Sequence, residues 1–238
     1  MSASGKPQWD SLFEPKVPGF SKVPINDIDA VIQAINSDTV AVMLEPVQGE
    51  AGAVPADNSY LVALRKLTRQ HNILLVLDEM QTGIGRTGSL FSFQQAGIDP
   101  DIVTLGKGLG GGVPLAALLA RREVSCFDHG DQGSTFSGNP LMTAIGCAVV
   151  SEVAQPSFLN RVVESGEYLR EQLRQLSQQL KLGEVRGAGL LLALLIPENN
   201  AAEIAARAFG KGLLINVPQK NFLRFMPALK GLRIQAIC

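Results

Sequence analysis

Histidine, cysteine and the larger aromatics are scarce in this chain of 238 residues, which has two histidines, three cysteines, one tryptophan and two tyrosines. The cysteines (Cys126, Cys147 and Cys238) are odd in number and widely spaced. They give neither a disulfide framework nor the paired spacing of a zinc site, and they predict a reducing compartment, the cytosol. His71 and His129 alone leave little for imidazole-based metal chemistry. Charge of one sign is lacking too. Twenty-one Lys and Arg face 22 Asp and Glu, a net charge of −1, so no basic field points to nucleic acid or to an anionic membrane. Long apolar runs are missing: Leu190 to Ile196 is among the longest, far short of the ~20 residues of a membrane-spanning helix. Met1-Ser2-Ala3-Ser4-Gly5 leads into polar sequence without the apolar stretch of a signal peptide. What is plentiful is apolar side chain, 46% of residues, enough for a sizeable core in one large or two modest domains. A soluble, cytoplasmic, globular protein is expected.

Four prolines among the first 24 residues predict a loop-like start. Ile28, Val31, Ile32 and Ile35 predict a short helix over 27–36. Leu61, Leu64 and Leu67 predict a second behind the capping residues Asp57, Asn58 and Ser59. Val40–Leu44, Ile73–Leu77, Ile102–Leu105 and Leu115–Leu119 read as strands. The alternation with helices predicts an α/β domain with a mainly parallel sheet. Asn139-Pro140 is a helix start, a capping side chain followed by a proline whose missing N–H is not needed there. Beyond Pro156 a long amphipathic helix is expected, with Leu159, Val162, Val163, Leu169, Leu173, Leu176 and Leu180 on its apolar face. A strand over Leu190–Ile196, a helix over Ala201–Phe209 and short strands near Leu213 and Phe222 follow. The change of pattern divides the chain into a domain of residues 1–155 and a smaller α+β domain of residues 156–238.

Chemistry concentrates between Ile73 and Lys107. Two apolar runs end abruptly, one in Asp78-Glu79 and the other in Gly106-Lys107-Gly108. Functional groups of parallel sheets gather beyond the carboxyl ends of the strands. A P-loop ATPase is excluded, because Asp101 stands where the first glycine of G-x-x-x-x-G-K-[ST] belongs and Gly108 where the hydroxyl belongs. Gly83 to Gly88 spells G-x-G-x-x-G, but it lies five residues past the strand and behind two carboxylates that would repel a pyrophosphate. Asp78 and Lys107 on neighbouring strands would put a carboxylate opposite an amine. That suits pyridoxal phosphate, with lysine on the aldehyde and carboxylate on the ring nitrogen. Taken singly, a helix-capping aspartate and a solvated loop lysine account for the same two positions.

Longer motifs add to this. Leu77-Asp78-Glu79-Met80-Gln81-Thr82-Gly83-Ile84-Gly85-Arg86-Thr87-Gly88 and Leu105-Gly106-Lys107-Gly108-Leu109-Gly110-Gly111-Gly112-Val113-Pro114 resemble signatures of the class III aminotransferases. So do Glu45–Glu50, Gly133–Pro140, Val185–Leu190 and Leu223–Leu229. The resemblance covers nearly the whole chain and is strongest to the ornithine/acetylornithine-type branch. It implies a fold-type I pyridoxal phosphate transferase fold, with a partial large domain and a small α+β domain. It also implies transfer of an amino group from N-acetylornithine to 2-oxoglutarate in arginine biosynthesis, by a homodimer whose cofactor sites lie at the subunit interface. Residue by residue, Lys107 matches the lysine that carries pyridoxal 5'-phosphate, Asp78 the partner of the ring nitrogen, and Gln81 the residue near the phenolic oxygen. Ser134 and Thr135 match hydroxyls that reach the neighbouring subunit's cofactor phosphate, as residues just ahead of a helix N-terminus can. Arg224 matches the clamp for the substrate α-carboxylate, and Glu50 the carboxylate that pairs with it between substrates. Glu45 reads as structural.

The family's N-terminal segment, with a Gly-Thr-rich phosphate loop and a ring-stacking aromatic, has no counterpart here, and Gly5-Lys6-Pro7-Gln8 resembles the loop that follows it. The short tail after Leu229 departs from the pattern as well. A sheet without its first strands is expected to leave an apolar face uncovered. The alternative expectation is therefore a non-catalytic fragment or partner subunit that needs the missing part.

Overall fold

The computed structural model describes residues 2–5, 9, 12 and 14–230, so residues 6–8, on which part of the Gly5–Gln8 reading falls, and the residues from 231, like 1, 10, 11 and 13, lie outside the described residues. Two compact units emerge, Met1–Val40 and Ala41–Cys238. The first contains helix α1 (Ile28–Ala34), capped by Asp27, whose Oδ1 accepts from the Ala30 amide at 2.9 Å. Val31 is its buried residue, while Ile32 of the expected apolar face is exposed.

The second unit is built on two four-stranded sheets. Strands β1 (Ala41–Leu44), β4 (Leu74–Asp78), β5 (Ile102–Leu105) and β6 (Ala117–Ala120) form one sheet in the order β1-β4-β5-β6. The first three are parallel, and β6 runs antiparallel to β5. Between β1 and β4 come a small hairpin, β2 (Val47–Gln48) with β3 (Val54–Pro55), and helix α2 (Asn58–Gln70). The hairpin was not expected, because two-residue strands leave no periodic signal. Asp101, just before β5, fastens the start of the sheet. Its carboxylate receives two hydrogen bonds from Arg65 of α2, at 2.6 and 2.8 Å, and the Leu75 amide at 2.8 Å.

Helix α3 (Pro140–Val153) starts as expected, with Asn139 Oδ1 accepting from the Met142 amide at 3.0 Å. Helix α4 (Pro156–Leu180) differs from expectation in the face it buries. Phe158, Val162, Gly166, Leu169, Leu173 and Ser177 point inward, whereas Val163, Leu176 and Leu180 are exposed. The stripe includes a glycine for a steric reason. A Cβ at Gly166 would lie 2.6 Å from the Gly189 carbonyl oxygen, so the helix crosses the neighbouring turn in backbone contact. That turn joins β7 (Val185–Ala188) to β8 (Leu191–Leu195). With α5 (Ala201–Phe209), β9 (Asn216–Gln219) and β10 (Phe222–Phe225), these strands complete a second, antiparallel sheet ordered β7-β8-β10-β9. The strand expected near Leu213 begins at Asn216, after the turn through Gly212.

The second sheet separates two apolar clusters. Leu190, Leu192, Leu194 and Leu223 join α4, Val103 and Leu105 in the larger one. Leu191, Ala193 and Phe222 face Val47 and Ala53 of the hairpin in the smaller one. Gly85 and Gly88 of the G-x-G-x-x-G stretch serve packing. Cβ atoms there would lie 2.6 Å from Val153 and 2.7 Å from Val163. Among the described residues no single helix is long and apolar enough to cross a membrane.

Candidate active site

Three neighbouring parallel strands end together, and each carries an ionisable group just past or at its last residue: Glu45 after β1, Asp78 at the end of β4 and Lys107 after β5. Asp78 pairs in register with Thr104 of β5. The Thr104 hydroxyl donates to Asp78 Oδ1 at 3.0 Å and the Met80 amide donates to the same oxygen at 2.9 Å, so two donors orient the half-buried carboxylate. Glu45 lies within electrostatic reach of both other groups. Burial pushes its carboxyl above the ordinary 4.5, the Gly49 amide pulls it back, and Asp78 and Lys107 act in opposite directions.

Lys107 is exposed and opens a short 3-10 helix, Lys107–Gly110. Its φ is +46°, a left-handed conformation unusual for lysine. Ile84, at φ +53°, is a rarer case still because it is β-branched, and it packs close by: a Cβ on Gly108 would lie 3.6 Å from it. Such torsions cluster at functional sites, where the surrounding structure holds them in place. Gly106 has a packing task, since a Cβ there would lie 2.5 Å from the Met80 side chain.

A second group adjoins through the hairpin loop. Arg224 of β10 is buried, and its Nη1 donates to Glu50 Oε1 at 2.8 Å and to Gln81 Oε1 at 3.3 Å. Its Nε is buried without a hydrogen-bond partner. Gly49 accommodates Gln81, whose Oε1 occupies space that a Cβ at 49 would enter at 1.4 Å. The Gly49 amide donates to Glu45 Oε2 at 3.2 Å. One short loop therefore connects the strand-end carboxylate Glu45 to the Glu50–Arg224–Gln81 group.

The structure thus brings Glu50, Gln81 and Arg224 into hydrogen-bonded contact and sets Asp78 and Lys107 on adjacent strand ends. Ser134 and Thr135 stand exposed ahead of α3, and among the described residues neither bonds to the others. Thr104, Gly49 and Arg186 escaped single-residue reading. Thr104 looks like one more member of an apolar run until strand register pairs it with Asp78. Glu79, next to Asp78, turns away from the site. It is buried, accepts from the Thr82 hydroxyl at 2.5 Å and from the Phe93 amide at 3.0 Å, and burial raises its carboxyl above 4.5. Arg86 secures the far side, donating to the carbonyls of Leu190 and Pro227, and burial lowers its guanidinium to about 10.

The α/β unit with its mainly parallel sheet has the fold of the fold-type I pyridoxal phosphate transferases. The model of the family "Aminotransferase class-III" matches residues 1–231. The chain belongs to this pyridoxal phosphate-dependent family. An acetylornithine aminotransferase of Ralstonia nicotianae is 54% identical over 232 residues, which cover 96% of this chain and 58% of that protein. Among solved structures, N-acetylornithine aminotransferase from Stenotrophomonas maltophilia K279a is 38% identical with a TM-score of 0.79, over 87% of this chain and 56% of that one. Ornithine aminotransferase from Toxoplasma gondii ME49 is 31% identical with a TM-score of 0.89, over 96% and 56%. The chain spans a little under three fifths of the length of the curated relative it matches, 58%.

Proposed function

We propose that the residues of this chain encode an acetylornithine-type transamination, moving an amino group from N-acetylornithine to 2-oxoglutarate in arginine biosynthesis. The observation that carries the reading is Asp78, fixed by two donors, beside Lys107 on the neighbouring strand. The named relatives supply the substrate. The donor set fits pyridoxal phosphate, with a fixed acid and an amine flanked by glycines, and Arg224, with its unpartnered buried Nε, fits a substrate carboxylate. When bound, the cofactor supplies an electron-withdrawing ring that stabilises negative charge at the substrate α-carbon.

Asp78 would hold the cofactor's ring nitrogen and favour its protonated form. Lys107 would carry the cofactor through its Nζ and would serve as acid and base for the proton at the substrate carbon. Gln81 would hold the cofactor's phenolic oxygen. Arg224 receives the α-carboxylate through its planar fork, a task lysine does poorly. Glu50 occupies Arg224 when no carboxylate is there. Ser134 and Thr135, exposed ahead of α3, serve the cofactor phosphate of a second subunit in a cytoplasmic homodimer. We keep the boundary at 155/156, since the two four-stranded sheets fall on either side of it.

A second reading has its own observation. Met43 and Leu118, on one face of the first sheet, are exposed, and Val76 and Ile102 between them are only half-buried. Catalysis then needs a further segment packed on that face, in the same polypeptide or another. The visible spectrum of the purified chain with pyridoxal phosphate separates the readings. An absorption band that borohydride fixes to the peptide containing Lys107, and that Lys107→Ala lacks, supports cofactor binding by this chain. No band with the intact chain overturns it in favour of the second reading.

A further inference from the structure

Two arginines stand in one row across the second sheet. Arg186 of β7 is in register with Ala193 of β8, and Ala193 with Arg224 of β10. Cross-strand partners share a face, so both guanidinium groups leave the sheet toward the β2–β3 hairpin, with the fully buried Ala193 as a low point between them. Their bonds differ in kind. Arg186 Nε donates to the Gly52 carbonyl at 2.6 Å and Nη2 to the Ala51 carbonyl at 2.8 Å, while its Nη1 meets Glu184 at 3.2 Å. Its guanidinium lies 4.1 Å over the Phe222 ring. Gly52, at φ +89°, admits this arrangement, since a Cβ there would lie 2.8 Å from both Arg186 Nη2 and Phe222. Arg224 instead holds the side chains of Glu50 and Gln81. Side-chain bonds can be exchanged for those of a ligand, whereas the carbonyl bonds next to Glu50 fix the backbone from which it reaches. Gln219 adds one more, donating to the Glu50 carbonyl at 3.1 Å.

We propose that Arg186 is a positioning residue. It holds Ala51 and Gly52 so that Glu50 closes on Arg224, and it thereby sets how readily the site admits a carboxylate. The consequence for substrates rests on the aminotransferase reading; the anchoring does not. An incoming carboxylate must displace Glu50, so its apparent affinity falls by the fraction of molecules in which Arg224 is already engaged. A looser loop lowers that fraction. Lysine cannot replace Arg186, because a point charge lacks the fork that spans two carbonyls and the plane that stacks on a ring.

The test compares the full chain with Arg186→Lys, Phe222→Leu, Glu50→Gln and the Arg186→Lys/Glu50→Gln double variant. Hydrogen exchange is followed in segments 49–53 and 83–88, and 2-oxoglutarate binding by calorimetry. Arg186→Lys is expected to speed exchange in 49–53 by roughly tenfold, as for loss of one hydrogen bond to a charged group, while 83–88 keeps its rate. It is also expected to tighten 2-oxoglutarate binding several-fold. Glu50→Gln tightens it as well, and the double variant matches Glu50→Gln alone. A merely structural role predicts additive effects instead. Unchanged exchange in 49–53, or full additivity, overturns the proposal. Should Arg186→Lys loosen 83–88 as well, Phe222→Leu removes only the stacked ring and decides by the same readouts. Absence of 2-oxoglutarate binding in every protein sinks the carboxylate-site reading, and the exchange pattern still decides whether Arg186 anchors the loop.

Discussion

Replacing Gly49 with alanine tests the link between the strand-end carboxylates and Arg224. A Cβ at 49 would lie 1.4 Å from Gln81 Oε1, 2.5 Å from its Cδ and 3.2 Å from its Nε2, so Gln81 must leave its place. In leaving, it gives up the 3.3 Å bond from Arg224. Gly49 is not among the positive-φ glycines, so no backbone strain adds to this. The clashing atoms are the far end of a flexible side chain that can swing aside, so the cost is chiefly the hydrogen bond from Arg224 given up, about 1–3 kcal/mol. For a chain of this size that lowers Tm by about 2–12 °C, at about 2–4 °C per kcal/mol. All three clashing atoms belong to one side chain, which gives the decisive control. Gln81→Ala deletes them, so the Gly49→Ala/Gln81→Ala double variant should be no less stable than Gln81→Ala alone. Urea and thermal unfolding followed by circular dichroism measure both quantities. A Gly49→Ala cost below about 0.5 kcal/mol, the scale of an ordinary surface change, would refute the reasoning. So would penalties that simply add.

Asp101→Asn leaves Arg65 buried with half of its fork unanswered and should cost about 3–5 kcal/mol at neutral pH. Burial pushes Asp101 up, but the Arg65 hydrogen bonds, the Leu75 amide and the charges of Arg65 and Arg121 together hold it below the ordinary 3.8. The stabilisation is therefore present above 3.8 and lost as pH falls through the lower folded value, and the two proteins should converge in strong acid. Equal urea midpoints at neutral pH would remove Asp101 as the fastening of the sheet. Glu79 has the opposite sign. Its folded value lies above 4.5, chiefly through burial, so its contribution declines as pH rises from 4.5 through that value. Glu79→Gln should flatten this decline in unfolding free energy, with a residual slope left by Glu45, which is raised as well. An unaltered slope would show that Glu79 carries no such titration.

The sheet and its ends were legible because apolar runs that stop at an aspartate or a lysine leave few alternatives for a buried strand. The α4 face was only half legible. Periodicity selected Leu176 and Leu180, but the contact that sets the helix rotation is made by Gly166 against the Gly189 backbone. A glycine carries no hydrophobic signal. Arg186 was visible only as a letter within a motif, since its partners are backbone carbonyls 134 and 135 positions away. Nothing local marks a bond of that kind. Thr104 needed the β4–β5 register to acquire a role, and register is a property of two strands together.

The left-handed torsion at Lys107 sets folding against chemistry at one residue. A non-glycine side chain held there costs of the order of 1–3 kcal/mol, a sum glycine would not incur. A chain selected for stability alone would drift toward glycine at 107, within a segment that already has Gly106, Gly108, Gly110, Gly111 and Gly112. An amine retained among so many glycines is the residue such drift would remove first, unless its reactivity is in use.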